Sequence, residues 1–360
     1  MSQNTNSYPH TLDDILTIAI QMNASDLHLL AGNPPAVRVS SDIVELELPK
    51  LSSNDVKQLT LSNLTNRQIK SFQEKLELDF SYSLAETSRF RGNLMIQKGT
   101  ISAVYRIVPF EIPEMSELSL PPCVRTLCNE SRGLILVTGP TGMGKSTTMA
   151  SMINYINETK KVNIVTIEDP IEFLHQNKNS FIRQREVGFD TYSFSNALIH
   201  VLRHDPDIIL VGEMRDLDSI SIALTAAETG HLVISTLHTQ TAPLSINRII
   251  DVFSAEKREQ IRNQLANSLK GIISQQLLPQ KNTSRKALAT EILLEASAVK
   301  NLIREQKEHQ LYTVMQTNKN LGMHTMDSSI CKLFKNGTIT EETAFNYCID
   351  KTELERLISL

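Results

Sequence analysis

The chain has 360 residues, 41% apolar and 21% charged, with 36 Lys and Arg against 40 Asp and Glu for a formal net charge of −4. That length accommodates two domains with cores of their own, and mixed charge near neutrality gives no bulk electrostatic case for binding nucleic acid or an anionic membrane. Residues 1–10 hold neither a basic start nor an apolar stretch, and no apolar run approaches a membrane span, so a cytoplasmic protein without a signal peptide is expected.

An amphipathic helix is predicted over Leu12–Met22, where Leu12, Ile15, Leu16, Ala19 and Ile20 share one face. Strands follow at Asp26–Leu30, Ala36–Val39, Leu78–Tyr82, Phe90–Gln97 and Ile101–Ile107, with helices at Asn54–Leu61 and Asn66–Lys75. These make residues 1–108 a mixed α/β unit. Residues 109–122 hold four prolines and few packing residues, the composition of a linker. Cys123, Cys128, Cys331 and Cys348 lack paired C-x-x-C spacing, which points to free thiols rather than to zinc or a disulfide framework.

Residues 123–360 alternate strands and helices. Leu134–Thr138, Asn163–Glu168, Ile208–Gly212 and His231–Leu237 are near-continuous apolar runs, as expected of a parallel sheet covered on both faces. Helices are predicted at Ser146–Asn157, Ser195–Arg203 and Ile220–Thr229. A long one is predicted over Glu256–Leu278, with Ile261, Leu265, Leu269, Ile272 and Ile273 on one stripe. Ala287–Leu294 reads as a further strand and the remainder as helical. The fold class is α/β.

Between the first of these strands and its helix lies Gly139-Pro140-Thr141-Gly142-Met143-Gly144-Lys145-Ser146, followed by Thr147. This matches the phosphate-binding loop G-x-x-x-x-G-K-[ST] in its proper strand–loop–helix context. Backbone N–H groups there surround a phosphate at the positive end of a helix dipole. Lys145 would reach the β- and γ-phosphates, and the Ser146 hydroxyl would bind Mg²⁺. The chain is therefore expected to bind a nucleoside triphosphate.

Hydrolysis needs a group that activates water and charge that stabilises the transferring phosphoryl. The apolar strand Ile208–Gly212 delivers Glu213 at its C-terminal end, where open α/β sheets bind ligands, and Glu213 is the expected base. Strand Asn163–Glu168 ends likewise in Glu168, followed by Asp169 and Glu172. Glu168 would approach the metal or its bound water, whereas Asp169 and Glu172 read equally well as partners of a neighbouring arginine. His231 and His238 bracket a third strand and are expected to touch the γ-phosphate or the attacking water. In the first unit, Arg89 and Arg91 share a strand face, and with Arg106 they could complete a phosphoryl-transfer site from another domain or subunit.

The segments Gly139–Ser146, Thr166–Glu172, Asp205–Asp216 and Gly230–Thr239 together resemble the Walker A, Asp box, Walker B and His box of the ATPases of type II secretion and type IV pili. Within that group the sequence is most similar to the twitching-motility (PilT-type) retraction ATPases. Ala24–Leu29, Gln184–Gly188, Thr225–His231 and the helix Ala298–Glu305 resemble theirs, over most of the chain. The resemblance implies a PAS-like N-terminal domain, a RecA-like ATPase domain, ATP and Mg²⁺, and a homohexameric ring with nucleotide at subunit boundaries. It also implies an inner-membrane platform protein and other pilus ATPases as partners, with the motor peripheral to the membrane and not inserted in it. Two substitutions stand out: Met143 where Ser is commoner, and Val299-Lys300 where Ile-Arg is usual. The site itself does not give motor direction. A pilus-assembly or secretion ATPase, an accessory pilus ATPase that only senses ATP, and a nucleic-acid translocase on the same core are the alternatives.

Overall fold

The computed structural model describes residues 8–40, 42–84, 88–108, 111–283 and 285–359, in two compact units, Met1–Glu111 and Ile112–Leu360.

The first unit runs α1 (Leu12–Gln21), β1 (Asp26–Leu30), β2 (Ala36–Val39), β3 (Asp42–Glu45), α2 (Ser53–Leu61), α3 (Asn66–Lys75), β4 (Glu77–Leu84), β5 (Ser88–Gln97) and β6 (Thr100–Val108). Each helix starts on a reciprocal capping box, Thr11/Asp14, Ser52/Asp55 and Thr65/Gln68. The strands form one antiparallel sheet in the order β3-β2-β1-β6-β5-β4. Alternation sends Leu27, Leu29, Phe90, Leu94 and Tyr105 into a core shared with Ile15 and Leu16 of α1. The opposite face carries charge. Register sets Asp26 across from both Arg38 and Arg106, and Arg106 across from Arg91.

The second unit runs α4 (Cys123–Cys128), β7 (Gly133–Thr138), α5 (Lys145–Thr159), β8 (Asn163–Glu168), β9 (Phe181–Glu186), α6 (Phe194–Val201), β10 (Ile208–Val211), α7 (Leu217–Glu228), β11 (Leu232–Leu237), α8 (Ala242–Asp251) and α9 (Ala255–Ser268). It continues with β12 (Leu269–Pro279), β13 (Lys286–Leu294), α10 (Ser297–Arg304), α11 (Leu311–Thr317), α12 (Met326–Lys335), α13 (Glu341–Tyr347) and α14 (Lys351–Ser359). Seven strands lie in the order β13-β12-β7-β11-β10-β8-β9, all neighbours parallel except β12 and β13. Both faces are covered. Leu134 and Leu136 of β7 pack into one apolar cluster, Ile135 and Val137 into another with Met152, Ile153 and Ile156 of α5. Each such fully buried side chain contributes about 1.5–3 kcal/mol relative to exposure.

One expected element is corrected. The helix predicted over Glu256–Leu278 stops at Ser268, and Leu269–Pro279 is a strand between β7 and β13. A run buried on both faces has no period that separates helix from strand. Tertiary pairing decides here, with β7 on one side and β13 on the other; at Gly271 a Cβ would lie 2.9 Å from Leu127 Cδ1, so a larger residue there needs that side chain to move. The strands β3 and β9 and the helices α4 and α8 were not foreseen. Of the predicted linker, Pro109 and Phe110 lie outside the described residues, and Met115 is buried in the second unit's core.

Candidate active site

The glycine loop leaves β7 and enters α5. Gly139 has φ +138°, and a Cβ there would lie 2.4 Å from the backbone oxygen of Gln275 on β12, so glycine alone fits. Gly144, at φ +79°, is the N-cap of α5 and offers no side-chain cap, which leaves the first N–H groups of α5 directed at the loop. Lys145 is buried, and its Nζ donates to Gly139 O at 2.7 Å and Pro140 O at 3.0 Å. Burial lowers its pKa, and the charges of Glu213 and Glu172 oppose that shift.

Three parallel strands end beside this loop. Gly212 follows β10 and sits so close to β8 that a Cβ would meet Glu168 Cα and Ile167 O at 3.3 Å. Its N–H donates to Ile167 O at 2.7 Å, and its carbonyl accepts from Thr236 Oγ1 at 2.6 Å. The strand ends are thereby fastened together, and Glu213 emerges between them. One Glu213 oxygen lies 2.8 Å from Arg215 Nε and the other 3.1 Å from His238 Nε2. The other ring nitrogen of His238 is 3.4 Å from Thr141 Oγ1 and 3.5 Å from Lys145 Nζ. Glu168 Oε1 accepts from Thr166 Oγ1 at 2.6 Å and from Gln184 Nε2 at 3.2 Å. Burial raises the pKa of Glu168 and these hydrogen bonds oppose the rise.

Lys145, Ser146, Glu168, Glu213 and His238 all line one cavity of about 720 Å³. Gly142, Gly144, Thr141 and Thr147 contribute to it as well. Its hard oxygen donors, the Ser146 hydroxyl and the Glu168 carboxylate, suit Mg²⁺, which takes few protein ligands and fills its shell with phosphate and water. Among the described residues there is no group of three or more His, Cys, Asp or Glu that could hold a metal ion.

His231 is a correction. It precedes β11 while His238 follows it, so the strand holds the two about 20 Å apart at its opposite ends. His231 Nδ1 lies 3.0 Å from Ala226 O, at the end of α7. The arginines belong to the first unit: Arg89 and Arg91 on β5, and Arg106 on β6, with its Nε 2.9 Å from Asp26 Oδ1. Asp169, though exposed, lines the cavity together with Glu172.

Three contributors were not anticipated. Arg215 holds Glu213. Gln184 of β9 binds Glu168 and also fixes the following loop, donating to Phe173 O at 2.8 Å and accepting from His175 N at 2.8 Å. Gln275 of β12 donates through Nε2 to Met143 O at 2.6 Å, and Leu277 N donates to Met143 Sδ at 3.2 Å. Reading β12 as helix hid the last of these. Met143 is thus accommodated by its backbone oxygen and its sulfur alike.

A phosphate loop flanked by strands that deliver a carboxylate and a histidine is the site of a P-loop ATPase. The chain matches the family model described as type II/IV secretion system protein over residues 2–343, and it belongs to that family. It is 46% identical to the type IV pilus retractation ATPase PilT of Pseudomonas aeruginosa over 92% of this chain and 96% of that protein. To a twitching motility protein of Neisseria gonorrhoeae it is 46% identical over 91% of this chain and 87% of that one. The crystal structure of the pilus retraction motor PilT with bound ADP superimposes with a TM-score of 0.90 at 48% identity, covering 96% of this chain and 99% of that chain.

Proposed function

We propose that this chain is the ATPase that powers type IV pilus retraction. It hydrolyses ATP with Mg²⁺ and converts closure between subunits into extraction of pilins from the pilus base. The observation that carries the hydrolytic reading is Glu213, held at the end of β10 between Arg215 and His238, with His238 itself beside Lys145. The near-full-length similarity to retraction ATPases supports the direction of the motor.

In this reading Glu213 takes the proton of the attacking water, and His238 senses whether a γ-phosphate is present. Lys145 and the loop N–H groups bind the β- and γ-phosphates. Mg²⁺, held by Ser146 and through water by Glu168, neutralises phosphate charge. Residues 1–108 form the PAS-like arm, joined by 109–122 to the RecA-like domain at 123–360. The arm presents Arg89, Arg91 and Arg106 to the ATP of a neighbouring subunit. A closed ring with a heterologous interface, six copies in this proposal, lets every site be completed in that way. The ring works at the cytoplasmic face of the inner membrane against a platform protein, alongside other pilus ATPases. No described helix is long and apolar enough to cross a membrane.

Steady-state ATPase activity of the wild type and Glu213→Ala, with mass by light scattering with and without ATP, tests the motor. A six-subunit ring whose turnover disappears with Glu213 supports it. An inert monomer that still binds ATP identifies an accessory subunit instead. In cells, loss of the chain should leave pili extended; loss of the pili themselves would reassign it to assembly.

A further inference from the structure

Glu291 is the one carboxylate on β13, and it is fully buried. Burying a charge there is costly unless it is paired or hydrogen-bonded. Its two oxygens go to two different helices. Oε1 accepts from the N–H of Ala242 at 2.7 Å, and Oε2 from the N–H of Met326 at 3.3 Å. These are the first residues of α8 and α12. Each helix has its own threonine cap, Thr241 and Thr325, but those hydroxyls serve the third N–H, of Leu244 and of Ser328. Glu291 takes the first N–H of both, which capping leaves unmet.

The two helices lead to different places. Ala242 is four residues beyond His238, the residue at the phosphate loop. Met326 opens the C-terminal helices, and Asp327 beside it accepts from Ile349 N and Asp350 N at 2.7 and 3.0 Å, at the head of α14. Asp327 from α12 and Tyr312 from α11 are the other titratable groups that act on Glu291.

We propose that Glu291 is a positioning residue that joins the His238 loop to the C-terminal helices, so that nucleotide bound at the phosphate loop is felt at α12. This rests on the nucleotide-site reading above. Ionised, as it is above about pH 7, the side chain accepts from both helix starts at once, whereas an amide in its place has one acceptor and presents N–H to the other helix. The link runs along the chain from His238 through Thr241 to Ala242, and then by hydrogen bonds through Glu291 to Met326.

Hydrogen exchange on the full chain with and without ADP and Mg²⁺ tests it. In the wild type, ADP should slow exchange in the first turns of α5 and α8, and also in the first turn of α12 by about fivefold or more, the low end of ordinary coupling. In Glu291→Gln the α5 response should persist while the α12 response falls to none. Glu291→Asp keeps the charge but is one methylene too short to span both N–H groups. It should behave the same way and serves if the amide variant does not fold. A purely structural role would speed α12 exchange equally with and without ADP, and that outcome overturns the proposal. So does an α12 that ignores ADP in the wild type while α5 responds. Silence at α5 as well would overturn the nucleotide-site reading along with it.

Discussion

His238 Nε2 lies 3.1 Å from Oε1 of Glu213, across the adjacent ends of β10 and β11. The pair joins the expected base to a ring whose other nitrogen faces Lys145. Glu213→Ala should leave nucleotide affinity within about threefold and lower turnover by about 10²–10⁴, the range for removing a general base. Binding calorimetry beside steady-state rates separates the two effects. Wild-type turnover in that variant would remove Glu213 from the mechanism.

Lys145→Ala should act on binding first. A charge-assisted hydrogen bond contributes roughly 1.5–3 kcal/mol, so ATP affinity should fall by at least about tenfold, with turnover lost. An affinity within twofold of wild type would show that the loop holds phosphate without its lysine.

The loop glycines should differ in cost. Gly139→Ala places a Cβ 2.4 Å from Gln275 O and strains a backbone at φ +138°, whereas Gly142, at φ +78°, has open space around it. The first substitution must shift β12 or the loop, and the second strains only itself. We expect Gly139→Ala to abolish measurable nucleotide binding and to lower the thermal midpoint. Gly142→Ala should keep the fold with a smaller loss of affinity. Equal effects would deny β12 its bracing role.

Stability should also report Glu291. Burial pushes its carboxyl up to about 7, opposed by the Ala242 and Met326 N–H groups and reinforced by Asp327. The folded chain therefore binds this proton more tightly than the unfolded chain does. Its contribution is fully present below the unfolded carboxylate range, declines as pH rises, and is gone above about 7. Relative to Glu291→Gln, the wild type should lose stability on the order of 3 kcal/mol between pH 4 and 8. Denaturant unfolding of both proteins across that range measures it. Parallel curves would mean that folding leaves the Glu291 pKa where it is in the unfolded chain.

The parts of the site legible in the sequence were those written locally. The phosphate loop, Glu168 and Glu213 each follow an apolar strand that announces itself by composition, and parallel order brings those ends together. Gln275 and Gln184 were not legible because their role depends on which strands become neighbours, and Arg215 because its contact with Glu213 depends on how the loop between β10 and α7 turns. Nothing local distinguishes Leu269–Pro279 from a buried helix; only insertion between β7 and β13 makes it a strand. His231 was misplaced for a related reason, since a motif spanning a whole strand looks compact in sequence and is not so in space. The N-terminal arginines Arg89, Arg91 and Arg106 were all named from the sequence, but that Arg106 stands across from Arg91 follows only from the β5–β6 register.

The position of β12 has a consequence for how the protein is made. Its register partner for Thr138 is Ser274, over a hundred residues later. At a ribosomal rate of about 5–20 residues per second, β7 leaves the exit tunnel roughly 7–27 s before the strand that braces its loop. Throughout that interval the nascent nucleotide domain has an open apolar edge and a glycine loop without Gln275 beneath it. A ribosome stalled before β12 is made would display the five strands β7 to β11 with β7 as an open, adhesive edge.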